Sequence, residues 1–307
     1  LLAFPDLGLS FTILATLTNM IVFIFVYIGA GWTIRVQYFI LALLLLALGS
    51  YAVGAWEQAS PELFSKNLQS DWTSGHSFFT IFALFFPAVT GIMAGVNMSG
   101  DLKNPGRSIP KGTFAAIGFT FLIYGGIAIL MAASSPRKNL VGDVMVMHEK
   151  AWYGPLIYVG VIASTLSSAL GSMMGAPRIL QAFGRDNVFK RLKYFALGSG
   201  SSNEPRRAIV ITFVLAQMGV MAGDLDTIAP IITMFFLLTY GTINLASFYE
   251  GISGNPSFRP TFKYNHWSVS LLGAAGSLCI MFLISWVWAL VAIILAGGLF
   301  FLITRAE

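Results

Sequence analysis

Apolar residues run along most of the chain in long stretches that polar residues interrupt only at intervals. None of these stretches contains Asp, Glu, Lys or Arg, and most approach the roughly 20 apolar residues that a bilayer-spanning helix needs. The nine stretches are 10–32, 37–56, 77–99, 112–133, 154–176, 208–223, 227–249, 268–285 and 287–304. The pattern predicts an all-α, polytopic membrane protein with nine crossings.

One stretch, 77–99, contains its own interruption. Pro87 lacks an N–H, and its ring clashes with the carbonyl one helical turn earlier. Thr90 and Gly91 follow, a hydroxyl that can cap a new helix and a residue that tolerates unusual backbone angles. The sequence therefore predicts two half-helices that meet near 87–91, close to the middle of the membrane.

A helix broken at this depth exposes backbone groups of both signs. The first half ends in carbonyl oxygens that suit a cation, whereas the second half presents the N–H groups of Gly91, Ile92 and Met93, which suit an anion. Irregular backbone inside a membrane survives only where it is buried in protein or lines a cavity. Broken helices of this kind point to the ion site of a transporter.

Composition and charge agree with a membrane protein and add its orientation. The chain is 56% hydrophobic and 10% charged, with a mean hydropathy of +0.77, whereas a soluble domain carries about 25% charged residues. With the first residues placed outside, fourteen of the eighteen lysines and arginines fall on inside connections. By the positive-inside rule we expect a cytoplasmic C-terminus, and no nucleic-acid partner. The basic connection 177–207 is most simply a topology signal, with contact to anionic lipid as the alternative.

The apolar stretches offer a ligand only neutral groups, because they contain no charged side chain. Ser164, Ser168 and Ser172 are spaced four apart, so they share a helix face. Their hydroxyls suit sodium, but small residues at this spacing also let membrane helices pack closely. Tyr240 lies near the middle of 227–249, where its hydroxyl needs a partner, either a bound anion or a carbonyl group.

The sequence shows none of the features of an enzyme. It contains no nucleophile–base arrangement, phosphate loop or metal-ligand spacing. Its single cysteine, Cys279, leaves no disulfide possible within the chain. We therefore expect no enzymatic activity, no bound cofactor, and no metal beyond transported alkali ions.

Residues 86–113 read FPAVTGIMAGVNMSGDLKNPGRSIPKGT, and this run resembles the cation–chloride cotransporter family of the amino acid–polyamine–organocation superfamily. The similarity continues through 165–187, 203–207, 228–244 and 258–264. The resemblance implies an inverted repeat of five plus five helices with two additional C-terminal helices. Stretch 77–99 would be the sixth helix of that fold, so 1–307 would be a single transporter domain that lacks the first three helices, a fragment.

The resemblance also implies ion sites, residue by residue. It assigns Pro87 and Thr90 to potassium, Gly91, Ile92, Met93 and Tyr240 to chloride, and Ser164, Ser167 and Ser168 to sodium. Ser164 would contribute its backbone carbonyl. The pair Ser167 and Ser168 favours the sodium-coupled branch of the family. The family's second potassium contact would belong to the helices that this chain lacks, so the use of potassium stays open.

The function implied is a secondary active transporter that couples sodium, with or without potassium, to chloride by alternating access. We expect a multi-pass protein of the cell membrane, whose partners are Na⁺, Cl⁻, K⁺ if it is carried, membrane lipid and, as one option, a second copy of the chain. Two alternatives stay open: an amino-acid permease of the same superfamily, and an accessory or scaffold membrane protein that does not transport.

Overall fold

A computed structural model describes residues 11–70, 78–186, 189–200, 202–222, 225–254, 258, 260, 262 and 265–306, with backbone alone at 80, 83, 84, 87, 101, 225–230 and 306. Every regular element within these ranges is helical, and no strand occurs there, so the all-α class is confirmed. The side chain of Pro87, and the end residues of the predicted stretches at 10, 77 and 223, lie outside the described part.

Thirteen α-helices are described. They are α1 (Phe11–Ile28), α2 (Ala30–Glu57), α3 (Pro61–Asn67), α4 (Phe78–Phe85), α5 (Ala94–Asn97), α6 (Pro105–Ser134), α7 (Arg137–Gly142), α8 (Val146–Lys150), α9 (Pro155–Arg185), α10 (Arg206–Ala222), α11 (Leu225–Ile252), α12 (Trp267–Ile284) and α13 (Trp286–Ala306). Three 3₁₀ helices cover Phe86–Val89, Ser99–Asp101 and Lys190–Phe195.

Seven of the described helices are long and apolar enough to cross a membrane, namely α1, α2, α6, α9, α11, α12 and α13. A multi-pass membrane protein is thus confirmed. Two of the nine predicted crossings are missing from this set. Stretch 77–99 is divided into short pieces by its break. Helix α10 has 17 described residues, and residue 223, where its predicted stretch ends, lies outside the described part.

The boundary between the first two helices lies at Gly29, so α2 begins at Ala30 and not at residue 37 as predicted. Gly29 has a φ of 144°, which residues with a Cβ rarely adopt. Glu204 stabilises the new helix, because its Oε1 accepts a hydrogen bond from the Ala30 N–H at 3.0 Å. Its other oxygen lies 3.6 Å from the Arg178 guanidinium. Arg35, which the prediction placed in a connection, is therefore helical.

Two further helices extend beyond their predicted ends. Helix α6 begins at Pro105, where the Asn104 carbonyl accepts the N–H groups of the first turn and proline needs no donor of its own. Helix α9 passes through Pro177 and ends at Arg185, although a proline usually ends a helix. Pro177 is buried, so we attribute the continuation to the packing around it.

The described helices form two compact units, of which the first contains α1–α3, α5, most of α6, and α7–α10. Its main core packs Val22 and Val26 of α1 against Leu170 and Met173 of α9 and Ile209 of α10. In this unit α9 is the central helix, since α1, α2 and α10 all contact it. The unit therefore holds the candidate sodium residues on its best-packed helix.

The second unit contains α4, the first turns of α6, and α11–α13. Met234 and Leu237 of α11 pack with Met281 of α12 and with Ala289 and Ala292 of α13. This unit holds the break and Tyr240. A single transporter domain over 1–307 stays a prediction.

Candidate functional site

Stretch 77–99 is not one continuous helix in the structure. Helix α4 ends at Phe85, the 3₁₀ turn Phe86–Val89 follows, and no helix covers 90–93 before α5 begins. Gly91 has a φ of 106°, and a Cβ built on it would meet no atom within 4 Å. The requirement for glycine is therefore one of backbone torsion and not of space.

The second half-helix is much shorter than expected. Helix α5 has only four residues, so it supplies little of the aligned dipole that the prediction invoked. Gly91 and Ile92 are exposed and Met93 is half-buried. An anion here would be held by individual N–H groups and not by a helix macrodipole.

Tyr240 of α11 lies beside this break. Its hydroxyl lies near the backbone of Gly91. The hydroxyl oxygen is fully buried, and no described group serves as its hydrogen-bond partner. Burying an unsatisfied hydroxyl costs about 1–3 kcal/mol. The structure thus brings together Tyr240 and Gly91, two of the four residues assigned to chloride. The buried Tyr240 hydroxyl is a hydrogen-bond donor at this point.

The two residues assigned to potassium receive less support. Only the backbone of Pro87 is described, and it lies in the 3₁₀ turn that follows α4. Thr90 is half-buried and already makes an interaction within the protein. The potassium assignment stays a prediction from the sequence pattern.

The three serines assigned to sodium lie in the middle of α9. The Ser164 hydroxyl donates to the Val161 carbonyl at 3.0 Å, one turn back on the same helix. The Ser167 hydroxyl donates to Gln37 Oε1 on α2 at 2.5 Å. Ser168 is exposed. The three serines therefore differ, since the Ser164 hydroxyl bonds its own helix, the Ser167 hydroxyl bonds a residue of α2, and Ser168 is exposed.

Gln37 was not identified from the sequence, although an amide at the start of stretch 37–56 is a recognisable signal. Its Nε2 donates to the Ser167 backbone carbonyl at 3.1 Å. A carbonyl can only accept, so the amide nitrogen must face it and Oε1 must face the hydroxyl. The Ser167 hydroxyl therefore has to donate, and its remaining lone pairs point away from Gln37 to where a cation could bind.

No group of three or more His, Cys, Asp or Glu side chains that could hold a metal ion occurs in the part of the chain described. The candidate ligands are hydroxyls, amides and carbonyls. Hard alkali cations and chloride are the ions that such neutral groups can accept without a change of protonation.

The fold and the broken helix define a polytopic membrane protein of the transporter class. A family model described as "Amino acid permease" matches residues 3–306. The chain belongs to this family.

Curated relatives agree with the predicted family. The chain is 36% identical to solute carrier family 12 member 2 of Homo sapiens over 90% of its own length and 27% of the relative's. It is 34% identical to the Squalus acanthias protein of the same name, over 95% and 29%. It is 36% identical to solute carrier family 12 member 1 of Mus musculus, over 86% and 28%. The chain thus spans less than a third of the length of these relatives. Their name, solute carrier, describes a transporter and not an enzyme, in agreement with the prediction.

Proposed function

We propose that the chain is part of a sodium-coupled chloride carrier that works by alternating access. The observation that carries the proposal is the buried Tyr240 hydroxyl beside the Gly91 backbone, with no hydrogen-bond partner among the described residues. A chloride ion at this point would accept one hydrogen bond from the Tyr240 hydroxyl and others from the N–H groups of 91–93. Such donors attract an anion without burying a cationic side chain, which would be expensive in a membrane.

Sodium is proposed to bind on α9. The oriented Ser167 hydroxyl offers a lone pair, Ser168 offers a second hydroxyl, and the Ser164 carbonyl a third oxygen. Oxygen ligands of this kind match a hard cation. Potassium, if it is carried, would contact Pro87 and Thr90.

The topology proposed places the first residues outside and the C-terminus in the cytoplasm of a cell membrane. The bias of basic residues supports it, as does the basic connection between α9 and α10. An inverted-repeat fold and a homodimer are part of the same proposal and follow from the family resemblance.

The sodium site is tested by uptake of radioactive chloride into proteoliposomes that contain the natural full-length protein. Sodium should stimulate chloride uptake, and replacing sodium with an organic cation should remove that stimulation. The double variant Ser167→Ala and Ser168→Ala should lose the dependence on sodium. Thr165→Ala is the matched control, because Thr165 bonds only carbonyls of its own helix.

A second function, amino-acid transport, is favoured by the description of the matching family model. Parallel uptake of labelled amino acids distinguishes it. Amino-acid uptake without sodium dependence and without chloride flux would replace the chloride proposal, and a protein that moves neither solute would be an accessory subunit. Rubidium uptake in the same vesicles reports whether potassium is carried.

A further inference from the structure

A cleft with two arginines and two tyrosines lies at one end of the first unit. It is enclosed by the end of α1, the 3₁₀ helix Lys190–Phe195 and the start of α10, and its volume is about 490 Å³. Tyr27, Tyr194, Arg206 and Arg207 line it. The cleft is separate from the residues assigned to sodium, potassium and chloride.

Both guanidinium groups are held in place by aromatic rings. The Arg206 Cζ lies 5.2 Å from the centre of the Tyr27 ring, and the Arg207 Cζ lies 4.3 Å from that of Tyr194. Arg207 also donates through Nη1 to the Tyr194 carbonyl at 2.9 Å. A guanidinium has five donors, so most remain available, and stacking restricts their orientation in advance. In the described part of the chain neither arginine is paired with a carboxylate.

An apolar groove adjoins this cleft. It runs along α1, α9 and α10, has a volume of about 1130 Å³, and shares Phe195 and Ile211 with the cleft. On α10 it extends from Ile211 to Val220, a rise of about 14 Å at 1.5 Å per residue. The hydrocarbon of one leaflet is about 15 Å deep, half of the core thickness. The groove is thus as long as one leaflet.

We propose that cleft and groove together bind one phospholipid with an anionic headgroup. Its phosphate lies between Arg206 and Arg207, and an acyl chain fills the groove. A cationic cleft that adjoins a leaflet-length apolar groove favours an amphiphile over a free phosphate. Tyrosines such as Tyr27 and Tyr194 are typical of the membrane–water interface, where the headgroup would lie.

The proposed orientation strengthens the choice of an anionic lipid. It places the connection between α9 and α10 in the cytoplasm, and the cytoplasmic leaflet is the one that carries anionic lipid. The inference rests on that orientation and not on the proposed ion coupling. Lipid binding is measured without ion flux, so the two proposals can fail separately.

The test uses the natural full-length protein in phosphatidylcholine vesicles that contain a minor fraction of phosphatidylserine with a photoreactive acyl chain. Labelling should map to the α10 segment 211–220. The double variant Arg206→Gln and Arg207→Gln should weaken labelling more than about thirtyfold, because each guanidinium would lose a charge-assisted hydrogen bond to the phosphate in addition to its general attraction to the surface. Photoreactive phosphatidylcholine should label this segment only weakly.

The matched control is Lys190→Gln with Arg191→Gln, which removes the same charge from the same connection outside the cleft. Both of these residues are exposed. Labelling of 211–220 should stay within about twofold of the unaltered protein, because only general surface attraction is reduced. Equal losses in the two double variants would overturn the site, since they would show nonspecific attraction to the surface.

Ala176→Phe tests the groove without touching the arginines. Ala176 is exposed and lines the groove, so a phenyl ring there should exclude the acyl chain and reduce labelling, while thermal unfolding reports that the protein is still folded. Undiminished labelling in this variant, together with full displacement of the lipid by soluble inositol phosphate, would show a phosphate site instead. Labelling absent from 211–220 in the unaltered protein would show that other protein segments fill the groove.

Discussion

Glu204 is the residue whose replacement tests the packing of the first unit most directly. It lies 174 positions from Ala30 in the chain, yet its carboxylate accepts the first N–H of α2. The same carboxylate pairs with Arg178 of α9, and both side chains are nearly buried, at 12% and 13% exposed. One side chain therefore joins the α1–α2 boundary to α9.

The magnitude can be worked from these contacts. At 3.6 Å, an effective dielectric constant of about 20 gives a Coulomb attraction of about 5 kcal/mol, which desolvation largely offsets. Glu204→Gln keeps an oxygen for the Ala30 N–H but makes that hydrogen bond neutral, a loss of about 1 kcal/mol. Arg178 retains the Met174 carbonyl as a partner at 3.1 Å, so the loss stays below the roughly 3–5 kcal/mol of a fully stranded buried charge. We expect Glu204→Gln to lower the free energy of unfolding by about 2–3 kcal/mol.

The assay is unfolding in mixed micelles with increasing dodecyl sulfate, followed by tryptophan fluorescence. A double-mutant cycle with Arg178→Gln should give a coupling energy of about 1–3 kcal/mol. Glu62→Gln is the control, because Glu62 is exposed on α3 and should change stability by less than about 0.5 kcal/mol. A Glu204→Gln protein as stable as this control, or a coupling energy of zero, would refute the role of Glu204.

Two other predictions concern Tyr240 in the second unit and Gly54 on α2. Tyr240→Phe should raise the chloride concentration for half-maximal uptake about 12- to 160-fold, the loss of one hydrogen bond to a charged ion, whereas Tyr249→Phe, on an exposed part of α11, should not change it. An unchanged value for Tyr240→Phe would make Tyr240 a packing residue. Gly54→Ala should reduce the free energy of unfolding by about 1–3 kcal/mol, because its Cβ would lie 2.3 Å from backbone atoms of Lys150 and Trp152, while Gly49→Ala, with no atom within 4 Å, should not destabilise. Equal stability of the two glycine variants would contradict this close approach.

Local chemistry explains which helix features could be predicted. The break at 87–91 follows from a proline and a glycine within a few residues, so it can be seen in the sequence. The boundary at Gly29 could not, because the apolar pattern continues through it and the carboxylate that caps α2 comes from Glu204. The four-residue length of α5 was also unforeseen, since the predicted stretch continues to Ser99.

In the candidate sites, too, features that depend on nearby residues could be predicted, and contacts between distant residues could not. Residue type and position in a stretch were enough to draw attention to Tyr240, Ser164 and Ser168, whereas Ser167 was assigned only through the family resemblance. Gln37 was missed because its partner Ser167 is 130 positions away, and only the packing of α2 on α9 brings the two together.

Hydrogen-bond direction gives the two candidate sites opposite polarity without any charged side chain. A hydroxyl is both donor and acceptor, so a serine or tyrosine alone does not say which sign of ion it serves. The Ser167 hydroxyl donates its hydrogen bond to Gln37 Oε1, because Gln37 Nε2 already donates to the Ser167 carbonyl. A lone pair of the Ser167 hydroxyl oxygen is then left for a cation. No described group accepts a hydrogen bond from the Tyr240 hydroxyl, which is therefore left to donate to an anion. The hydrogen-bond partner of each hydroxyl, and not the residue type, therefore determines whether we propose a cation or an anion at that site.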